Sequence, residues 1–284
     1  MNANQDMMSN SNTDSTSPEE VPPPQHQLVV YNNTSAPLAS TSNNTNAQVA
    51  HHVSLLENLA PELRLEILSA LPDFETLRSV ILASPVLHAQ FVYGRRRVLS
   101  SLLPGILEGI LVDAIGFALS SVPGLGMARS NAMIEEFLAK YHTWQEDATT
   151  IPSMRSINLG ALDKLVDFHF STALPIAREF TEWTIRNMSD EASFPSPGLL
   201  SQAKGMALSQ TECTRVLRAI YRYQIYQNLF GETGTVRHGS FGCKEIHDHF
   251  FALFTPWDIE TMTSIDLFLR DLYSPIFRKV QAAV

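Results

Sequence analysis

LLENLAPELRLEILSALPDFETLRSVILASPVLHAQF, residues 55–91, is the stretch on which the fold turns. Pro61 suits a first helical turn, where a missing N–H costs nothing. Glu62 beside it suits the positive end of a helix dipole. Leu63, Ile67, Leu68 and Leu71 follow at helical spacing, with Arg64 and Glu66 turned away. Pro72 stops this helix and Asp73 caps the next, whose apolar face is Phe74, Leu77, Val80 and Ile81. Ser84 and Pro85 make an N-cap and N1 pair that starts a third helix. Helices this short bury little alone. They require a neighbour, either the rest of the chain or a partner.

The remainder can supply one. Of 284 residues, 44% are hydrophobic, enough for a sizeable core. Residues 1–53 do not share that composition: they are rich in Asn, Ser, Thr, Gln and Pro, and no Lys or Arg precedes Arg64. Such a segment buries too little apolar surface to offset its ordering entropy, and a disordered tail is predicted. Its apolar island, Leu28, Val29, Val30 and Tyr31, reads as an incidental patch before it reads as a docking motif. The start lacks the basic and apolar regions of a signal peptide. Cys213 and Cys243 are the only cysteines, which fits a reducing compartment. An intracellular protein, cytoplasmic or nuclear, is expected.

Residues 98–127 are the most apolar part. Glu108 and Asp113 interrupt them, and the uncharged runs fall short of the roughly 18–20 residues of a membrane span. Buried helices are predicted instead, and no membrane partner. Arg95, Arg96 and Arg97 just before them read as a solvated face rather than an anion-binding patch. Pro123 to Ala128 lacks the third glycine of a dinucleotide loop, its place held by Arg129, and Gly234 to Ser240 lacks the lysine of a phosphate loop.

Downstream the periodicity stays helical. Met133, Ile134, Phe137, Leu138 and Tyr141 mark one helix. Leu159, Leu162, Leu165 and Val166 mark the next, extended past Pro175 by Ile176, Phe180 and Trp183. Ser209 and Glu212 form a capping box that opens a helix over 211–230. Its apolar face is Val216, Leu217, Ile220, Tyr221, Tyr223 and Leu229. Arg215, Arg218 and Arg222 line the other side, as a solvated or carboxylate-paired face. A net charge of −9 argues against nucleic acid, whose binders show a basic footprint. Thr255 caps a last helix with Pro256 at N1, and Ile259, Met262, Ile265, Leu269, Leu272 and Ile276 give its stripe. Trp257 is expected in the core where these two helices meet.

The chemistry-bearing residues are few. Cys243, His247 and His249, with His238 nearby, are the candidate metal ligands. On a helix Cys243 and His247 share a face while His249 points elsewhere, and no paired zinc spacing occurs. No metal and no cofactor are expected. Cys243 with His247 is also the nucleophile and base of a distant hydrolase reading, without an orienting third group.

Leu59-Ala60-Pro61-Glu62-Leu63 and the leucines after it resemble an F-box, the helical module that docks substrate receptors onto the Skp-type adaptor of cullin–RING ubiquitin ligases. Ala60 stands at the usual first proline, and Leu82 to Leu87 lack the usual basic and aromatic positions. The resemblance implies partner-binding roles for Leu59, Pro61, Leu63, Ile67, Leu68, Leu71, Leu77, Leu82 and Leu87. Farther on, Arg218 to Tyr223, Asn228 to Phe230, Phe250 to Phe254 and Pro256 to Glu260 are similar to a family of fungal F-box-like proteins. That likeness implies an all-α fold: an F-box-like three-helix segment, 54–93, packed on a larger helical domain, 94–284. The expected function is non-enzymatic, a receptor joining the adaptor to an unknown protein substrate. The alternative is a helical scaffold whose F-box-like helices are core and bind no adaptor.

Overall fold

Local side-chain caps start the helices. Asp73 accepts from the Thr76 N–H at 2.7 Å, and Ser84 Oγ accepts from the Leu87 N–H at 3.3 Å. Ser209 and Glu212 close the predicted capping box. Thr255 and Asp258 make a second one, with the Asp258 N–H donating to Thr255 Oγ1 and the Thr255 N–H donating to Asp258, each at 3.3 Å. Each device satisfies backbone donors that a helix start leaves open.

The structure, a computed structural model, describes residues 55–121, 130–191, 208–231 and 241–282. Among the described residues there are ten α-helices and no strand. In chain order they are α1 Pro61–Ser69, α2 Phe74–Ala83, α3 Pro85–Ile106, α4 Leu111–Ser120, α5 Asn131–Glu146, α6 Leu159–Asp167, α7 Leu174–Glu191, α8 Gln210–Phe230, α9 Cys243–His249 and α10 Pro256–Ala282. The all-α expectation holds for this part of the chain. The predicted tail, the island at 28–31, the glycine loops at 123–128 and 234–240, and His238 lie outside the described residues.

The third helix is longer than the sequence predicts. α3 runs 22 residues, past Gly94 and Pro104. Gly94 takes a non-helical φ of −99° and ψ of 15°, which kinks the helix without ending it. The predicted boundary at 93/94 therefore falls on a kink inside one helix. Past the kink, Val98, Leu99, Leu102 and Leu103 are all buried, and that packing carries the helix through its breakers. The chain then turns at Gly109, whose φ of +81° suits glycine, and enters α4.

α8 is the central element. It packs on α4, α7, α10 and the turn before α7. Leu217, Ile220, Tyr221, Ile225, Leu229 and Phe230 are buried along it. α6 and α7 are joined by a π-helical turn, Phe168–Ala173. Pro175 has no N–H for the Ser171 carbonyl and crowds it, a condition under which the hydrogen-bond ladder widens. The turn drives Phe168 onto Phe117, ring centroids 4.2 Å apart, while Phe170 meets Phe74 of α2 edge-on at 5.0 Å. α1 and α2 pack on α3 around a small core of their own, Leu68, Leu77, Val98 and Leu102, with Phe74 and Phe91 touching both this cluster and the main one.

Trp257 is a correction. It is 77% exposed, not buried. It lies in the first turn of α10, before Met262, the first residue of that helix to be buried. The stripe itself ends early: Met262, Ile265 and Phe268 are buried, whereas Leu272 and Ile276 are exposed.

α4 approaches α5 and α8 closely at Gly116. A Cβ there would lie 2.9 Å from Tyr141 Cε2 and 3.0 Å from Ile225 Cδ1. Gly116→Ala gains up to about 1 kcal/mol of helix propensity but meets a rigid ring, and overpacking typically costs about 1–3 kcal/mol. A net loss of stability in urea titration is expected; a stabilised variant would show that α4 and α5 can separate freely.

Candidate functional site: the outer face of the first three helices

α1 is fastened to α3 along its length. Leu65 lies so close over Gly94 that a Cβ on the glycine would sit 2.1 Å from Leu65 Cδ1. Glu66 pairs with Arg97, and Ser84 Oγ donates to the Glu57 carboxylate just before α1. With Leu68 and Leu77 turned into the small core, the opposite sides of α1, α2 and the first turns of α3 face outward.

This arrangement divides the nine residues of the sequence-based site. Leu68, Leu77 and Leu87 are buried and present no surface to a partner. Leu59, Ile67 and Leu71 are half-buried. Pro61, Leu63 and Leu82 are exposed, Leu63 at 52% and Leu82 at 71%. Leu55, Leu56, Val86, Val92 and Tyr93 add exposed apolar area in the same segment. A shallow groove of about 450 Å³, lined by Arg64, Pro85, Val86, Ala89 and Gln90, runs between α1 and the start of α3. In it Arg64 reaches the Glu57 carbonyl with Nη1 at 3.4 Å, and its Nε finds no acceptor. Such a face can bury apolar side chains and receive a hydrogen-bond acceptor at Arg64.

The arginines of the sequence analysis are engaged. Arg95 pairs with Asp163 at 2.9 Å, Arg96 donates to the Arg155 carbonyl at 2.7 Å, and Arg97 takes Glu66. These three neighbours reach three different elements and fasten α3, while their side chains stay largely open to water, as the sequence predicts.

A buried polar network went unread in the sequence. Asp113, 3% exposed, accepts from Arg222 Nε at 3.0 Å and from the Tyr141 hydroxyl. Arg222, 8% exposed, also pairs with Asp258 at 2.7 Å and lies 4.6 Å over the Phe254 ring. Arg218 adds a longer contact to Asp113 at 3.6 Å and donates to the Gly109 carbonyl at 2.7 Å. The network thus joins α4, α5, α8 and the start of α10. Burial opposes the charge on Arg222, yet Asp113, Tyr141 and Asp258 outweigh it and raise its pKa. Burial first, then the Asp113 charge, pushes the Tyr141 phenol up, so it stays a donor. Burial raises Asp258, but Thr255 and Arg222 bring it below the ordinary value. The legible signal was a lone carboxylate, Asp113, in an apolar helix, which demands a buried cation elsewhere.

Cys243, His247 and His249 all lie on α9. Cys243 is exposed, His247 Nδ1 faces its neighbour Asp248 at 3.2 Å, and His249 lies against Phe241 at 5.7 Å. Among the described residues, no group of three or more His, Cys, Asp or Glu gathers to hold a metal ion, and no helix is long and apolar enough to cross a membrane. His169 is buried in the π turn, its Nδ1 3.1 Å from the Tyr221 hydroxyl. Burial lowers its pKa to about 4.

No protein-family model matches the chain, and comparison with curated proteins and with solved structures finds no match.

Asp113→Ala strands Arg222 as a buried, half-paired charge, and a loss of about 3–5 kcal/mol is expected from denaturant titration. Trp257→Ala is expected to cost under about 0.5 kcal/mol, as surface changes do. His169 sets an acid limb. Its pKa falls from 6.5 in the open chain to about 4 in the fold, so the unfolded state binds more protons between these values. Stability is full above pH 6.5 and falls by up to roughly 3 kcal/mol toward pH 4. His169→Gln is expected to flatten that slope; an unchanged slope would assign it to other groups.

Proposed function

We propose that this chain is a non-enzymatic helical interaction protein that docks a Skp-type adaptor through α1–α3 and holds a protein substrate of a cullin–RING ligase elsewhere on its surface. The observation that carries this reading is Leu63. It lies on the helix that resembles the F-box, amid the matching residues, and half of it is open to solvent. Pro61 and Leu82 are exposed beside it in the sequence of the same segment. A docking helix of this kind needs an inner stripe to hold it and an outer stripe to offer. Leu68 and Leu77 act as the first; Pro61, Leu63 and Leu82 act as the second. The reduced cysteines fit an intracellular setting.

The scaffold reading draws on Leu68, Leu77 and Leu87, which are core. It gives no role to the exposed apolar residues of α1 and α2. Ala60 and Leu87, which depart from the F-box pattern, predict weaker adaptor binding than a full motif gives.

Leu63→Asp separates the readings. Docking would bury the new carboxylate unpaired at the interface, at a cost of several kcal/mol, about 3–5 where one partner of a buried pair is missing. The expected outcome is a native circular dichroism spectrum with adaptor capture lost. An unfolded variant supports the scaffold. Wild-type protein that fails to capture adaptor at high micromolar concentration ends the ligase reading.

A further inference from the structure

The last helix outruns the body it packs on. Phe268 is the final buried residue of α10, yet the helix continues to Ala282. Beyond Phe268 its apolar pattern does not stop. Leu269, Tyr273, Ile276 and Val280 recur at four, three and four residues, the spacing of a coiled-coil seam. Leu272 and Phe277 widen the seam on its two flanks. Tyr273, Ile276, Phe277 and Val280 are 46%, 55%, 67% and 57% exposed. The side facing away carries Asp271, Ser274, Pro275 and Arg278. Pro275 thus leaves its unbonded carbonyl partner, Asp271, on the water side, where it costs little.

We infer that this overhang is a homodimer interface in which the α10 helices of two copies pair antiparallel. Two observations select a second copy. The first is spacing: four–three–four reads the same in both directions, so a two-fold axis between residues 274 and 275 matches each position of the stripe, whose first residue, Leu269, also touches the main core. It sets Leu269 against Val280 of the second copy, Tyr273 against Ile276, and Leu272 against Phe277. A self-complementary patch of this sort closes under twofold symmetry and goes no further. The second is area. A whole aromatic side chain carries about 150–250 Å², and with Leu272, Tyr273, Ile276, Phe277 and Val280 each near half exposed, the patch offers roughly 500 Å² per copy. Two copies reach about 1,000 Å², the lower bound for a specific interface. An apolar patch of that size per copy is at the upper end of what a monomer shows to water, where such patches are often functional. The dimer is therefore of modest affinity, and it leaves α1–α3 to other partners.

Sedimentation equilibrium of the full chain, from about 1 to 300 µM, a range suited to a minimal interface, tests the inference. The expected mass rises from 31.6 kDa toward twice that value. Ile276→Asp is expected to remain monomeric throughout, with the wild-type circular dichroism spectrum and melting temperature, because among the described residues Ile276 is exposed and belongs to neither core. Arg278→Ala, on the outer side, is expected to dimerise as the wild type does. A wild-type chain that is monomeric over the whole range overturns the dimer, as does a dimer that survives Ile276→Asp. Loss of fold in Ile276→Asp overturns it too, since it would mean that the chain itself covers this face.

Discussion

Arg222 carries its charge in the middle of the helical body because Asp113 and Asp258 hold it from two sides. A lone buried ion is costly enough that any packing which separated these groups would be strongly disfavoured. The Tyr141 hydroxyl completes Asp113, and the Phe254 ring covers the guanidinium. One side chain thereby registers α8 against α4, α5 and the first turn of α10. The aromatic contacts around it, from Phe117 and Phe168 to Tyr221, supply the apolar area, and the polar centre selects one arrangement of it.

Helix starts were legible because they are local. Asp73, Ser84, Ser209 and Thr255 each bond an amide three residues away, so sequence neighbours contain the whole interaction. The length of α3 was not legible. Gly94 and Pro104 disfavour a helix locally, and packing from Leu65 on one side and the main core on the other keeps it going. Trp257 differs for the opposite reason: its size argues for burial, but it stands in the first turn of α10, ahead of the part of the helix that is buried. Arg222 belongs to a stripe that the sequence marks as solvated or carboxylate-paired; it is paired, and the carboxylate that draws it inward stands 109 residues earlier.

The proposed docking face shows the same division. Periodicity identifies Leu63 and Leu68 as apolar positions of one helix, and nothing local says which will be covered. The answer depends on α3, which takes Leu68 into a small core with Val98 and Leu102 and leaves Leu63 outside. Because α1 and α2 rest chiefly on α3, with a core nearly separate from the main one, they form an outlying module. A partner can occupy its far side without disturbing the buried Asp113–Arg222–Asp258 centre.

Amide hydrogen exchange, followed with and without a purified Skp-type adaptor in excess, tests that docking role most directly. The expected result is added protection confined to α1, α2 and the first turns of α3, with α4, α5 and α8 unchanged. Exchange in α1–α3 that stays the same at saturating adaptor, or protection that appears only elsewhere in the chain, contradicts it.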